Sequence, residues 1–152
     1  MATLNDNKKT SALNLLACKC PRCRKGDMFV YKNPYKLKTF MKMHDTCPEC
    51  GQEFDIEVGF YYGSSYVSYA LSIAISVATL VAWWVFSGIS LMDNSVIYWL
   101  VFNSIFLIVL QPVIMRLART LWLAFFVRYE RNWKDKPAEK AERTNNDLKN
   151  AW

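Results

Sequence analysis

The chain has 152 residues, 53% of them hydrophobic, with 19 Lys and Arg against 13 Asp and Glu for a net charge of +6. Two long apolar runs take up its middle, leaving too little polar chain on either side for a large soluble core. All 19 basic residues lie outside those runs, ten before them and nine after, so the positive balance suits an anionic lipid surface and does not call for nucleic acid.

Residues 1–17 read as a disordered arm. Its polar start and the short apolar patch Leu13 to Ala17 do not make a cleavable signal, so the first apolar run is expected to act as its own membrane signal.

Residues 18–58 carry the chemistry. Cys20-Pro21-Arg22-Cys23 and Cys47-Pro48-Glu49-Cys50-Gly51 are two proline-bearing turns separated by 23 residues. Facing one another, they would offer four thiolates to one metal ion, Cys20, Cys23, Cys47 and Cys50. Structural Zn²⁺ is the plainer occupant. The same sulfur geometry holds a single redox iron in rubredoxins, so Fe is the alternative. Gly51 permits a positive φ after the second turn; Arg24 stands in that place after the first, so either Arg24 accepts the strained backbone or the turn is longer. Cys18 is left over, as a reactive thiol, a relay ligand or a spare, and the spare is the simplest reading. His44 could replace a cysteine but reads as a surface residue.

Between the turns, Met28 to Tyr31 is expected to be a strand, and Phe54 to Val58 alternates apolar and acidic residues as a half-exposed strand does. The unit is thus expected to be a small zinc-ribbon-like β domain, with the metal as its staple.

Residues 59–65, with Gly59-Phe60-Tyr61-Tyr62-Gly63, form an interfacial linker whose tyrosines suit the headgroup layer. Residues 66–88 and 96–115 then form two transmembrane helices joined by an outer loop at 89–95, because 20 residues at about 1.5 Å each span a hydrocarbon core of roughly 30 Å. Asp93 is the only charged residue from Val58 to Met115. The positive-inside rule places both termini in the cytoplasm, where cysteines stay reduced. The first helix carries two rows of small residues, Ser64/Ser68/Ser72/Ser76 and Ala70/Ala74/Ala78/Ala82, one able to pack on the second helix and the other on a partner or a second copy. Asn103, near mid-membrane and within one turn of the depth of Thr79, is expected to bond Thr79 or a backbone carbonyl near it, with outward pairing across an oligomer as the rival, and Pro112 to kink the second helix.

Residues 116–133 read as an amphipathic helix on the inner membrane surface or leaning on the cysteine unit, and residues 134–152 as a disordered tail. No intramembrane ionisable group, Ser-His-Asp set or phosphate loop points to transport or catalysis.

The order Cys20-Pro-Arg-Cys, Lys25-Gly-Asp-Met-Phe29, Cys47-Pro-Glu-Cys-Gly51, Gly59-Phe-Tyr-Tyr-Gly63 and a helical hairpin resembles the bacterial family catalogued as domain of unknown function 983. The likeness covers roughly Cys18 to Trp133, and Arg24 departs from the glycine common there. It implies an inner-membrane protein with a cytoplasmic zinc-ribbon-like head. Some members are encoded beside respiratory-oxidase genes, which hints at an assembly role. Three functions stand as expectations: a non-catalytic adaptor or assembly factor with a membrane or cytosolic protein partner, a membrane-tethered rubredoxin-like electron carrier, or, last of the three, metal handling with Cys18 as the exchanging thiol.

Overall fold

The structure, a computed structural model, describes residues 13–57, 59–87 and 94–138. Three helices run in chain order: α1 (Leu13–Leu16), α2 (Ser64–Ser87) and α3 (Ser95–Phe126), with a 3-10 turn at Phe60–Gly63 leading into α2. Helices α2 and α3 pair as a hairpin, and both are long and apolar enough to cross a membrane. Their outer faces are mainly hydrocarbon and aromatic surface, with Ser104 and Gln111 as exposed polar residues on α3: Tyr69, Ile73, Val77 and Trp84 on α2 and Leu100, Ile105, Ile108 and Val109 on α3 are all exposed. Water would not tolerate a patch of that extent, whereas lipid solvates it.

Between the helices lies a small polar cluster. The Thr79 hydroxyl stands 3.0 Å from Asn103 Oδ1, and Asn103 Nδ2 donates to Ser76 Oγ at 3.2 Å. Trp99 Nε1 adds a 3.4 Å bond to the Thr79 hydroxyl. The depth-matched pairing of Asn103 with Thr79 is therefore present, and the serine row supplies a second acceptor through Ser76. The other serines turn back on their own helix, Ser68 to Ser65 O and Ser72 to Ser68 O. The alanine row, Ala70, Ala74, Ala78 and Ala82, faces outward.

The second helix differs from expectation. In place of a break at Met115 and a separate surface helix over 116–133, α3 continues without interruption for 32 residues to Phe126, where Val127 turns extended. At 1.5 Å per residue it is about 48 Å long, well beyond the roughly 30 Å of a hydrocarbon core. Good helix formers at Met115, Leu117 and Ala118 propagate it. Arg116 and Arg119, which mark a membrane boundary in the sequence, are instead buried against the N-terminal unit at 5% and 9% exposure. The last three turns of α3 are a post on which that unit sits.

The N-terminal unit also departs from expectation: among the described residues it has no strand, so it is not a β domain. Three isolated antiparallel bridges, Lys19 with Asp27, Phe29 with Met43 and Thr46 with Glu53, are all the pairing it shows. The reason lies in where the backbone groups go. The next rung beyond the Phe29–Met43 bridge needs Lys42 N on Val30 O, but Lys42 N donates to Thr39 O at 3.1 Å, and the carbonyls of the rung after it, Lys32 and Phe40, accept from the Arg116 guanidinium. The Phe54 carbonyl, at the start of the other expected strand, accepts from the Tyr61 hydroxyl at 2.6 Å.

Two boundaries shift as well. Leu13–Leu16 of the expected arm is a short helix, tied down where Asn14 Nδ2 donates to the Arg24 carbonyl at 3.0 Å. In the expected tail, the carbonyls of Lys136 and Pro137 accept from Arg22, while residues 139–152, like residues 1–12, lie outside the described residues. The core of the unit joins Cys20, Cys23, Met28, Phe29, Met43, Cys47 and Phe54 to Leu123 of α3, with Trp133 packed against it.

Candidate metal centre

Each cysteine pair sits on a turn built the same way. In the first, Arg24 N donates to Cys20 O at 2.8 Å; in the second, Gly51 N donates to Cys47 O at 2.9 Å. Both turn residues are left-handed, Arg24 at φ 56° and Gly51 at φ 70°. Arg24 thus accepts the backbone that glycine adopts freely, at an energetic cost that the surrounding contacts offset. The Arg24 guanidinium lies 4.3 Å from the centre of the Tyr129 ring. The first turn is also one residue longer: Cys20 N returns to Gly26 O, whereas Cys47 N returns to Gln52 O, both at 2.8 Å.

These turns bring all four sulfurs, of Cys20, Cys23, Cys47 and Cys50, within 4.8 Å of one another. Cys20 Sγ lies 3.8 Å from Cys50 Sγ, and Cys23 Sγ lies 3.7 Å from Cys47 Sγ. A tetrahedron with metal–sulfur bonds of about 2.3 Å has edges of about 3.8 Å. The cluster therefore fits a tetrathiolate site and could hold a metal ion. Gly26 closes it from one side, since a Cβ there would fall 2.4 Å from Cys47 Sγ. Cys20 and Cys23 are completely buried, and Cys47 nearly so.

As thiols, the sulfurs hydrogen-bond one another and cannot ionise independently. Bonds to Cys23 and Cys47, followed by burial, drive the Cys20 thiol far above its ordinary value. Cys23 is drawn far below its own by the bonds from Cys20 and Cys47, assisted by the backbone at Lys25 and Gly26. Cys47 is pulled down by Cys20 but pushed up by Cys23 and by burial, ending at about 12. Binding a cation would discharge these shared protons, so metal uptake is coupled to pH.

The remaining candidates stay outside the cluster. Cys18 is half-buried with a left-handed φ of 54°, and its sulfur is not among the four. Burial raises its thiol, against smaller lowering effects from the Thr120 hydroxyl and Arg116, so it is a poor nucleophile at neutral pH. His44 is half-buried and likewise absent from the cluster.

What the residue pattern did not reveal is how the cluster is mounted. Arg116 donates from Nε to Phe40 O at 2.7 Å, from Nη1 to Lys32 O at 3.1 Å and from Nη2 to Asn33 O at 3.2 Å, with its guanidinium over the Phe29 ring. One turn on, Arg119 lies against Met43 and over the Tyr61 ring. Trp122 Nε1 donates to Phe60 O at 2.8 Å, and its ring fills the space a Gly63 side chain would need. Arg22, between the first two cysteines, bridges Cys50 O to the carbonyls of Lys136 and Pro137. The one signal available in the sequence was the Arg116/Arg119 spacing, which puts two cations on one helical face directly after an apolar run.

Fold and site together define a membrane-type helical hairpin carrying a four-cysteine head that could hold a metal ion. The chain belongs to the family described as Protein of unknown function (DUF983), whose model matches residues 37–126, from the loop before the second cysteine pair to the end of α3. The first cysteine pair lies outside that match. No curated protein and no solved structure matches the chain.

Proposed function

We propose that the protein is a non-catalytic adaptor or assembly factor of the bacterial inner membrane, with both termini in the cytoplasm and Zn²⁺ held by Cys20, Cys23, Cys47 and Cys50. The sulfur geometry carries this reading: pairs at 3.7 and 3.8 Å match a tetrathiolate whose four positions are all taken by protein. With Zn²⁺ in it, a closed site of this kind is structural, because it keeps no position for water or substrate. Its role is to shape a head that α3 presents just beyond the membrane, for a membrane or cytosolic protein partner. A respiratory complex is the class the family resemblance suggests, and the outward alanine row of α2 is the surface for a partner or a second copy.

Two measurements test the proposal. Purified protein is expected to carry one zinc per chain and to be colourless; a visible absorption band with stoichiometric iron would replace it with the rubredoxin-like electron carrier. For the topology, a cysteine placed at Asn94 should react with an impermeant reagent on intact cells, and one at Asn132 only after the membrane is breached. Labelling at Asn132 in intact cells overturns the orientation.

A further inference from the structure

The segment between the two cysteine pairs has a feature the metal centre does not use. From Phe29 to Met43 the chain leaves the head and returns, closed at its base by the Phe29–Met43 bridge and by Val30 N to Lys42 O at 3.0 Å. Within it, Lys32, Lys36, Lys38 and Lys42 are all exposed, and there is no acidic residue. Tyr35 and Leu37 at its tip are 53% and 69% exposed. Basic and aromatic residues interleave, with one bare leucine among them.

Its position gives that composition meaning. Counting from Ser95, the 20 steps to Met115 use up the roughly 30 Å of a hydrocarbon core, so Arg116 stands where α3 leaves it. Arg116 is the residue that grips the carbonyls of Lys32, Asn33 and Phe40. Upstream of it, Val113, still inside the apolar run, lines a groove of about 390 Å³ together with Leu16, Tyr31, Lys32 and Pro34. On the other side Met41 lines a second groove with Ser64, Ser65 and Ser68 at the start of α2. The segment is thus held against α3 and beside the start of α2, at one end of the hairpin where α3 leaves the span of a hydrocarbon core.

We infer that residues 30–42 form a membrane-contact loop that binds anionic phospholipid, with Tyr35 and Leu37 at the headgroup boundary and the four lysines on lipid phosphates. Opposite charge argues for this occupant, since basic side chains near an anionic bilayer surface are attracted to it, and tyrosine and leucine suit the interface next to them. The contact would fix the tilt of the head relative to the bilayer, and so the face it offers a partner. The inference rests on α2 and α3 crossing a bilayer, but not on which metal the head holds.

The test uses full-length protein in nanodiscs of phosphatidylcholine alone or of equal parts phosphatidylcholine and phosphatidylglycerol. A photo-crosslinking amino acid replaces Leu37 in one sample and Ile105, exposed in mid-helix, in another. Capture of lipid from position 37 is expected, several-fold stronger for phosphatidylglycerol, and lost to the level of phosphatidylcholine when Lys32, Lys36, Lys38 and Lys42 are changed to Gln. Position 105 is expected to capture either lipid in every case, the Lys→Gln variant included, which separates lost contact from lost insertion. Capture at 105 without capture at 37 overturns the loop contact. Equal capture of both lipids at 37, or no effect of the lysines, overturns the anionic preference. Failure at position 105 removes the membrane reading and the inference with it.

Discussion

The hairpin and the head are held together in opposite ways. In α2 and α3 the backbone satisfies itself, as hydrocarbon requires, and side chains add the small cluster of Ser76, Thr79, Trp99 and Asn103 and a bond from Trp83 to Ser95. In the described residues of the head the backbone pairs only in scattered turns and bridges, and further carbonyls are taken by individual side chains: Arg116, Arg22, Tyr61 and Trp122. Stability is therefore spread over many residues in one region and concentrated in a few in the other. Single substitutions should separate them.

The largest effect belongs to the cysteines. Removing one thiolate opens the site, and metal-dependent folding of such units is worth about 10–16 kcal/mol. Serine at Cys20, Cys23, Cys47 or Cys50 is expected to abolish stoichiometric metal, measured by elemental analysis, while the hairpin stays inserted. Cys18→Ser should retain metal; if it empties the site, the ligand set is wrong.

Next comes Gly26→Ala, whose Cβ would press on Cys47 Sγ. Metal affinity, read by chelator competition, should fall by about 10–100-fold, as for other changes next to a ligand. Native affinity would mean that the first turn can shift away from the sulfur.

Arg116 tests the mounting itself. Arg116→Gln loses a charged donor to three carbonyls, for a cost of about 2–4 kcal/mol. The loop from residue 29 to 43 should then exchange its amide hydrogens faster, with metal still bound. Lys at this position should not restore protection, since a single ammonium cannot reproduce the guanidinium fork.

The smallest effect is in the hairpin. Asn103→Leu should loosen it by only about 0.6–2 kcal/mol, detectable as a modest fall in resistance to unfolding in detergent. A chain with Thr79→Cys and Asn103→Cys should form an intrachain disulfide; dimers of the single Asn103→Cys variant without that link would place Asn103 on an oligomer surface instead.

The hairpin and the four-cysteine set were legible in the sequence because both are local properties. Twenty apolar residues bear on the membrane however the rest folds, and a CPxC turn needs only its own few residues to aim two sulfurs. Asn103 and Thr79 belong to this class too, since an antiparallel hairpin with a short loop brings residues of similar depth together, although the second bond, to Ser76, goes beyond that expectation. Tertiary structure decided the rest. Arg116 reads as a boundary charge until it meets carbonyls 76, 83 and 84 residues away. Leu123 reads as part of a surface helix until α3 runs on and carries it into the head's core. Gly26 reads as turn punctuation until the second cysteine pair folds over it and Cys47 Sγ arrives where a Cβ would be. In each case the residue's role is set by a partner from elsewhere in the chain. No local pattern encodes such a partner, because burial and carbonyl satisfaction are settled only when the segments meet.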